Sequence, residues 1–267
     1  MQGGGGEAGA GETLGWGRHD EAVTLLPPDA PIPPDFSARL RRLAGGAGAT
    51  PLWRNTIGGV TFRTDDGRVV KIGPRNLETS MRAESERLRW AARYTPVPEV
   101  IETGEDGDAE WLVTRALPGR SAVDPRWVEE PATAVRAVGE GLRALHDALP
   151  VAGCPFDWGV EHRLRTAAAR GLDVPASLHA APEPDLLVVC HGDACCPNTL
   201  VDDDGRWLAH VDLGALGVAD RWADIAVAAM STEWNYGPGW EDALSAAYGV
   251  TPDPERLAYY RSLWNET

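Results

Sequence analysis

The segment from Val188 to Asp212 concentrates polar side chains that could move a phosphoryl group onto a hydroxyl. Asp193 can act as a general base, because a carboxylate held on a loop can accept the proton of an attacking hydroxyl. Asn198 offers a neutral amide oxygen and Asp212 an anionic oxygen, and Mg²⁺ prefers hard ligands of this kind. The sequence therefore predicts a base and two metal ligands within one short stretch.

The order of these residues matches a kinase catalytic loop, H-x-D-x-x-x-x-N followed by D-x-G. His191 stands two residues before Asp193, and Asp212-Leu213-Gly214 follows Asn198 after a hairpin-like interval. The alternative is that His191 is packed in the core, Asp193 caps a loop, and the other two occupy turns. The combination of both motifs at this interval favours phosphoryl transfer.

Phosphoryl transfer of this type also needs a lysine on a strand and a carboxylate on the following helix. Lys71, the sole lysine of the chain, ends the predicted strand Val69–Ile72. Glu84 lies on the next predicted helix and is the candidate partner, with Glu78 and Glu86 as competitors. We expect Lys71 to contact phosphates and Glu84 to orient it; for Glu84 the alternative is a solvated helix face.

Two further segments could contact a nucleotide. Gly58-Gly59, between two predicted strands, would form a turn that covers phosphates, and an ordinary hairpin turn is the alternative. Backbone groups of Thr114 and Ala116, at the end of the strand-rich part, could contact the edge of an adenine base. Gly58, Gly59, Thr114 and Ala116 are therefore candidate cofactor-binding residues.

Hydrophobic periodicity divides the chain into a strand-rich first third with one helix and a mainly helical remainder. The predicted strands are Leu52–Ile57, Val60–Arg63, Val69–Ile72, Glu99–Thr103, Trp111–Thr114 and Leu186–Cys190, with a later hairpin of Leu200-Val201 and Trp207–Val211. The predicted helices are Phe36–Leu43, Leu77–Tyr94, Ala132–Ala148, Val160–Gly171, Ala219–Met230, Gly239–Tyr248 and Pro254–Leu263.

This pattern predicts an α+β fold with two lobes. The expected divisions are a flexible tail over residues 1–14, a small nucleotide-binding lobe over 15–116 that includes the hinge, and a larger catalytic and substrate-binding lobe over 117–267. The change from strands to helices near Ala116–Gly119 sets the boundary between the lobes.

The amino-acid composition indicates which kinds of molecule the protein is expected to bind. The 267 residues include 40 acidic and 25 basic side chains, for a formal net charge of −15. This balance disfavours nucleic acid and suits a cationic small molecule. Apolar runs are too short to span a bilayer and the N-terminus lacks the apolar core of a signal peptide, so we expect no membrane partner and a cytoplasmic location. Four cysteines without paired spacing predict free thiols.

At these residues the chain resembles the aminoglycoside phosphotransferase family, and within it the 3'-phosphotransferases of the kanamycin kinase type. The matching segments begin near Trp53 and include GGVTF, VVKI, AESERLRW, VVCHGDACCPNTLV and HVDLGALGVADRWADIA. The resemblance implies a protein-kinase-like fold, ATP (with GTP as an alternative) and Mg²⁺ as cofactors, and a monomer or homodimer. It also implies phosphorylation of an aminoglycoside, at the 3'-hydroxyl in kanamycin- or neomycin-like drugs.

The resemblance assigns roles to five of the residues above: the base Asp193, the metal ligands Asn198 and Asp212, and the nucleotide lysine Lys71 with its partner Glu84. Two further carboxylates, Asp220 and Asp224, fall at the start of a helix in the family's pattern. We expect both of them to cap that helix.

The chain departs from the family pattern in three places. Ala215 stands where relatives have an arginine, so a cation near the phosphates is missing. The end, Leu263–Thr267, replaces the relatives' acidic and aromatic tail that contacts the drug. The stretch between Phe156 and His191 is shorter than in drug-inactivating relatives. All three differences bear on substrate or rate.

A cationic drug needs carboxylates around the base, and the helical part supplies Asp157, Glu161, Glu233 and Glu266 as candidates. Trp234, Trp240 and Trp264 could form an aromatic wall, although most of the 11 tryptophans must serve in packing. Two alternatives remain open: a kinase of the same fold for another small alcohol or natural product, and an inactive nucleotide-binding regulatory module.

Overall fold

The computed structural model describes residues 24–55, 57–76 and 80–267. Its N-terminal part is an antiparallel sheet in the order β1-β2-β3-β4-β6-β5, formed by β1 (Thr24–Leu25), β2 (Ala49–Arg54), β3 (Val60–Thr64), β4 (Arg68–Pro74), β5 (Val100–Asp106) and β6 (Ala109–Arg115). Helix α1 (Pro34–Leu43) precedes β2, and helix α2 (Met81–Ala91) connects β4 to β5. The predicted tail 1–14 and Glu78 lie outside the described residues.

Strand β4 places Lys71 by simple alternation of side chains. Val70 and Ile72 are fully buried on one face of the sheet, in a cluster with Phe62 and with Leu40 of α1. Lys71 therefore projects from the opposite face, where α2 follows.

The C-terminal part contains the helices α3 (Pro125–Glu129), α4 (Pro131–Ala148), α5 (Val160–Ala169), α6 (Trp222–Tyr236), α7 (Glu241–Tyr248) and α8 (Pro254–Glu266). Short 3-10 helices cover Ala176–His179 and Cys196–Asn198. Two small antiparallel sheets join these helices, one of β7 (Arg120–Ser121), β9 (Thr199–Val201) and β10 (Trp207–His210), the other of β8 (Leu187–Cys190) and β11 (Gly217–Asp220).

Helix α6 lies at the centre of the C-terminal part. Every residue from Trp222 to Thr232 is buried, as expected for a helix surrounded by other elements. The same hydrophobic core includes Leu88 and Trp90, so α2 packs against the helical part as well as the sheet. In the residues described, no helix has the length and apolarity needed to cross a membrane.

The predicted α+β fold with a strand-rich N-terminal part and a helical C-terminal part is confirmed. The four cysteines are free thiols, and three of them are buried. The predicted helix Ala219–Met230 is wrong at its start, because residues 217–220 form β11. The pairing of β11 with β8 decides this, since a tertiary partner overrides local propensity. Of the predicted helix Leu77–Tyr94, the structure shows Met81–Ala91, with Ser80 as its N-cap.

Candidate active site

The candidate residues lie in the connection between two paired strands. Cys190, the last residue of β8, pairs with Gly217, the first residue of β11, so residues 191–216 leave this two-stranded sheet and return to it. Inside it, β9 pairs with β10, and the Val211 amide donates to the Asn198 carbonyl at 3.0 Å. These pairings place Asn198 beside Asp212, although the two residues are fourteen positions apart in sequence.

The two carboxylate oxygens of Asp193 differ in their contacts: Oδ2 accepts a hydrogen bond, whereas Oδ1 has no partner among the described residues. The Asn198 side-chain amide donates to Asp193 Oδ2 at 2.9 Å and to the Asp193 carbonyl at 3.0 Å. Asp193 Oδ1 is buried and has no hydrogen-bond partner in the described part of the chain. Burial raises the pKa of Asp193, although hydrogen bonding by the neighbouring Cys195 side chain acts in the opposite direction. An unpaired, desolvated carboxylate oxygen suits a general base that awaits a hydroxyl.

His191 connects the start of the segment 191–216 to its later part through hydrogen bonds to Asp193 and Val211. Its Nε2 donates to the Val211 carbonyl at 3.0 Å, and its Nδ1 accepts from the Asp193 amide at 3.3 Å. The two bonds require the tautomer with the proton on Nε2. His191 is fully buried, so it is a packed core histidine that positions its neighbours.

Asp224 does not cap a helix, contrary to the prediction. It lies within α6 and accepts from the His191 amide at 2.6 Å and the Gly192 amide at 2.9 Å. His146 Nε2 donates to the same carboxylate at 3.0 Å, and the Tyr248 hydroxyl lies 2.8 Å from His146 Nδ1. Burial alone would raise the pKa of Asp224, but these hydrogen bonds lower it. A charged carboxylate therefore holds the start of the catalytic segment.

Asp220 does make the contact expected of a capping residue. Its Oδ1 accepts from the amide of Trp222, the first residue of α6, at 3.1 Å. Its Oδ2 also accepts from the Asp185 amide and from Arg256. These bonds join three parts of the helical region at the beginning of α6.

Lys71, Glu84 and Asp212 meet between the sheet and the helical part. Lys71 Nζ lies 2.7 Å from Glu84 Oε1 and 3.1 Å from Asp212 Oδ2. The side chain of Glu84 is 8% exposed and that of Asp212 is 48% exposed, so Asp212 alone of the two carboxylates is open to a metal ion. Competitor Glu86 pairs with Arg82 on the helix surface instead.

The surroundings shift the pKa values of Lys71, Glu84 and Asp212 in different directions. Burial opposes the charge of Lys71, but Asp212 and Glu84 outweigh it and raise the pKa of the lysine. Burial raises the pKa of Glu84 to about 7, although Lys71 acts to lower it. Burial also disfavours ionised Asp212, but Lys71 outweighs this effect and lowers the pKa of that carboxyl. The three side chains thus combine an ammonium whose charge is stabilised, a carboxyl whose ionised form is stabilised and a carboxyl whose pKa lies near neutral.

Comparison with known proteins identifies the family of this chain. A family model described as "Phosphotransferase enzyme family" matches residues 41–260. The chain belongs to this phosphotransferase family. An aminoglycoside 3'-phosphotransferase of Streptomyces fradiae is 40% identical over 226 residues, which cover 72% of this chain and 83% of that protein. Streptomycin 3''-kinase of Streptomyces griseus is 32% identical, over 77% of this chain and 87% of that protein.

Solved structures have the same fold as this phosphotransferase. An aminoglycoside-3'-phosphotransferase of type VIII superposes with a TM-score of 0.71 and 30% identity, covering 88% of this chain and 100% of that one. An aminoglycoside phosphotransferase of Streptomyces rimosus in complex with ADP and streptomycin gives a TM-score of 0.67 at 25% identity, covering 87% and 98% of the two chains.

The glycine turn of the phosphotransferase is closed by Asn55. The Gly59 amide donates to Asn55 Oδ1 at 2.6 Å, and the Asn55 amide donates to the Gly59 carbonyl at 2.9 Å. Gly58 has a φ of 85°, which only glycine adopts at low cost. This turn joins β2 to β3, the neighbour of the strand that carries Lys71.

The candidate hinge makes its hydrogen bonds within the protein. Thr114 lies in β6, between Val69 of β4 and Val100 of β5. The Ala116 amide donates to the Gly67 carbonyl at 2.9 Å. An adenine that used this amide would have to compete with that bond.

The four candidate substrate carboxylates fall in two places. Asp157 and Glu161 are exposed and lie 3.9 and 3.6 Å from the guanidinium nitrogens of Arg165. Glu233 and Glu266 lie on α6 and α8, which pack against each other. The pairing with Arg165 reduces the negative charge that the first two can present.

Two of the three candidate tryptophans pair beside Cys195. The ring centroids of Trp234 and Trp264 lie 5.9 Å apart, and both rings pack against a buried cluster that includes Cys195. Trp240 instead packs against the main core and donates to the Tyr236 carbonyl at 3.3 Å. The structure therefore brings together two of the three tryptophans from which the aromatic wall was predicted.

Sequence reasoning missed the buried support of the site. His146 and Tyr248 lie far from the motif in sequence, and no spacing rule connects them to Asp224. The D-I-A pattern around Asp224 was visible, but a helix-start position favours a capping role over a bond to a distant loop.

Proposed function

We propose that this chain is an ATP-dependent O-phosphotransferase that transfers the γ-phosphoryl group to a hydroxyl of an aminoglycoside antibiotic and inactivates it. The proposed acceptor is the 3'-hydroxyl of kanamycin- or neomycin-like drugs, and GTP is the alternative donor. The observation that carries the proposal is the unpaired, buried Oδ1 of Asp193, in a chain 40% identical to an aminoglycoside 3'-phosphotransferase.

In the proposed mechanism, Asp193 Oδ1 accepts the proton of the acceptor hydroxyl as the hydroxyl oxygen attacks the γ-phosphorus. The bond from that phosphorus to the oxygen of the β-phosphate breaks, and ADP is the leaving group. Asn198 fixes the other carboxylate oxygen, which keeps Oδ1 directed at the substrate. Lys71 compensates phosphate charge, and Glu84 orients Lys71. The protein's role is mainly positioning and charge stabilisation.

The donor set fits a hard divalent cation. The half-exposed Asp212 carboxylate and the side-chain oxygen of Asn198 would hold Mg²⁺, which matches the preference of that ion for oxygen ligands. Bound Mg²⁺ and nucleotide supply the phosphoryl group and the charge neutralisation that its transfer needs.

On the nucleotide side, we infer that Gly58 and Gly59 cover the phosphates and that the backbone of Thr114 and Ala116 lies along the adenine. This assigns residues 15–116 to nucleotide binding and 117–267 to catalysis and acceptor binding. The location of Lys71 and Glu84 in the first part, and of Asp193 in the second, supports the division.

On the acceptor side, the proposed carboxylates are Asp157, Glu161, Glu233 and Glu266, all carried by the helical part. Their net negative charge suits the ammonium groups of the drug. The pairing of Asp157 and Glu161 with Arg165 favours a second candidate, a kinase of the same fold for a less cationic alcohol.

The first experiment is Mg²⁺-dependent ADP release from ATP, with and without kanamycin or neomycin. Stimulation by these drugs, and none by a 3'-deoxy analogue, is expected. Stimulation only by other alcohols would support the second candidate. Binding of ATP with no ADP release for any acceptor would indicate the inactive regulatory module.

Substitution of the base tests the chemistry. Asp193→Asn keeps the shape of the side chain but cannot accept the proton, so kcat is expected to fall by about 10²–10⁴-fold. Nucleotide affinity, measured by calorimetry, should change little. Normal turnover in this variant would exclude Asp193 as the base.

A further inference from the structure

We propose that Arg87 is a positioning residue that holds α2, and with it Glu84, at a fixed distance from the loop carrying Asp212; this rests on the proposed function. Arg87 follows Glu84 by three residues, so both side chains leave α2 on the same face. That face meets the Asp212 loop, because a Cβ built on Gly214 would lie 3.9 Å from Glu84 Cβ.

The Arg87 side chain joins α2 directly to this loop. Its Nε donates to the Leu216 carbonyl at 2.9 Å, and its guanidinium carbon lies 4.7 Å from the centre of the Phe156 ring. A bond from Nη1 to the Ala83 carbonyl at 3.3 Å fixes the guanidinium against its own helix. Because the guanidinium is planar and its donors are rigidly placed, these bonds set both distance and orientation.

The bond to Leu216 acts on a loop that needs support. Asp212 has a φ of 61°, which is uncommon for a residue other than glycine. Such a backbone persists only where its surroundings hold it. The start of the loop is held by the bond between Val211 and Asn198, and Arg87 holds its end at Leu216.

Phe156, the second contact of Arg87, is itself bound to β11. The Val218 amide of β11 donates to the Phe156 carbonyl at 2.9 Å, so the backbone of Phe156 is fixed to the strand that follows Leu216. Trp90, also on α2, packs edge-on against the Phe156 ring at 5.9 Å. Both contacts of Arg87 therefore bind α2 to the helical part rather than to the sheet.

The consequence concerns the three-residue charge cluster. Lys71 Nζ contacts Glu84 at 2.7 Å and Asp212 at 3.1 Å, and these carboxylates belong to α2 and to the loop. Arg87 couples the positions of the two elements, so the lysine finds both partners in place before nucleotide arrives.

Arg87→Met removes the hydrogen bond and keeps an apolar stem of similar length. The expected result is a roughly 10- to 100-fold loss of kcat, because small misplacements of reacting groups have effects of this size. KM for the acceptor should not change. Amide hydrogen exchange of residues 81–91 in the nucleotide-free protein should become faster.

Arg82→Met is the matched control. Arg82 lies on the same helix, and it is exposed and pairs with Glu86 at 3.1 Å. This variant should keep kcat and the exchange rate of α2. An equal loss in both variants would overturn the proposal, because it would show a general effect of removing charge from α2.

A double-mutant cycle separates positioning from a merely structural role. If Arg87 acts through Glu84, Glu84→Gln combined with Arg87→Met should lose no more kcat than Glu84→Gln alone. Fully multiplicative losses would overturn the proposal. Arg87→Gln retains a donor for the Leu216 carbonyl and should recover part of the kcat lost in Arg87→Met.

The test stays decisive if the proposed acceptor is wrong or a variant folds poorly. Without any active acceptor, faster α2 exchange and weaker MgADP binding in Arg87→Met still support the coupling, and unchanged values of both overturn it. If Arg87→Met does not fold by circular dichroism, Phe156→Leu and Arg87→Gln replace it. Both should change exchange and MgADP binding in the same direction by smaller amounts, because each keeps one of the two contacts of Arg87.

Discussion

Two deeply buried carboxylates, Asp224 beneath the catalytic segment and Glu84 beside Lys71, respond oppositely to similar burial. Asp224 is fully buried and Glu84 is 6% exposed, yet the pKa of Asp224 is lowered and that of Glu84 is raised to about 7. The first holds a loop in place, and the second orients a lysine.

The difference arises from their hydrogen-bond donors and neighbours. Asp224 receives two backbone amides and the ring of His146. Glu84 receives one ammonium, which it shares with Asp212, and the negative charge of Asp212 further raises its pKa. Burial raises the pKa of both carboxyls, and the number of hydrogen-bond donors around each one decides whether its ionised form is nevertheless favoured. Asp224 is therefore held in its ionised form at neutral pH, whereas Glu84 has a pKa close to neutral.

The largest expected effect comes from removing the loop support. Asp224→Ala leaves two buried amides and His146 without an acceptor, so the free energy of unfolding should fall by about 3–5 kcal/mol. Denaturant titration measures this loss, with Asp224→Asn as a control that keeps an acceptor and should lose less. A loss below about 1 kcal/mol would mean that the loop keeps its conformation without Asp224.

The pH dependence of stability sharpens the same comparison. The pKa of Asp224 is lowered by folding, so its contribution is present above its unfolded value of about 4 and is lost as pH falls through the folded pKa. Glu84 has the opposite sign: its contribution is complete below 4.5 and is lost as pH rises through about 7. Asp224→Asn should reduce the acid slope, and Glu84→Gln the slope between these two values.

Removal of the shared cation should reduce activity strongly. Lys71→Met deprives Glu84 and Asp212 of their common partner, and kcat should fall by about 10²-fold or more, since electrostatic stabilisation of this kind supplies several kcal/mol. Thermal unfolding should show a folded protein. Lys71→Arg keeps the charge but replaces a compact ammonium with a planar fork, and only partial recovery is expected.

A smaller effect is expected from the titration of Glu84. Because Glu84 must be ionised to hold Lys71, kcat/KM should decline as pH falls below about 7. The raised pKa of Asp193 contributes to the same acid limb. In Glu84→Gln the acid limb should be set by Asp193 alone, and an unchanged midpoint would assign the whole limb to Asp193.

The smallest effect tests the far end of the Asp224 support. Tyr248→Phe removes the hydroxyl that lies 2.8 Å from His146 Nδ1 but retains the ring. Loss of one buried hydrogen bond should lower the free energy of unfolding by about 1 kcal/mol, with kcat nearly unchanged. A large loss of kcat would show that the orientation of His146, and not only its presence, controls the catalytic segment.

The sequence by itself determined the candidate residues of the site and the order of its elements. Spacing alone selected Asp193, Asn198 and Asp212 as candidates, and the structure brings them together because the hairpin between them is local. Lys71 and Glu84 follow from strand alternation and helix position, and the structure pairs them at 2.7 Å. Local periodicity also predicted the α+β fold, since burial of one face dictates each period.

Only the tertiary structure decided how these residues are held and charged. The ladder between β8 and β11 converted a predicted helix start into a strand, and the folding of α4 and α6 brought His146 to Asp224, 78 residues away. Whether a carboxylate is ionised depends on the donors that surround it, and these come from distant parts of the chain. Sequence spacing encodes local geometry, whereas burial and partner count arise only when separate elements pack together.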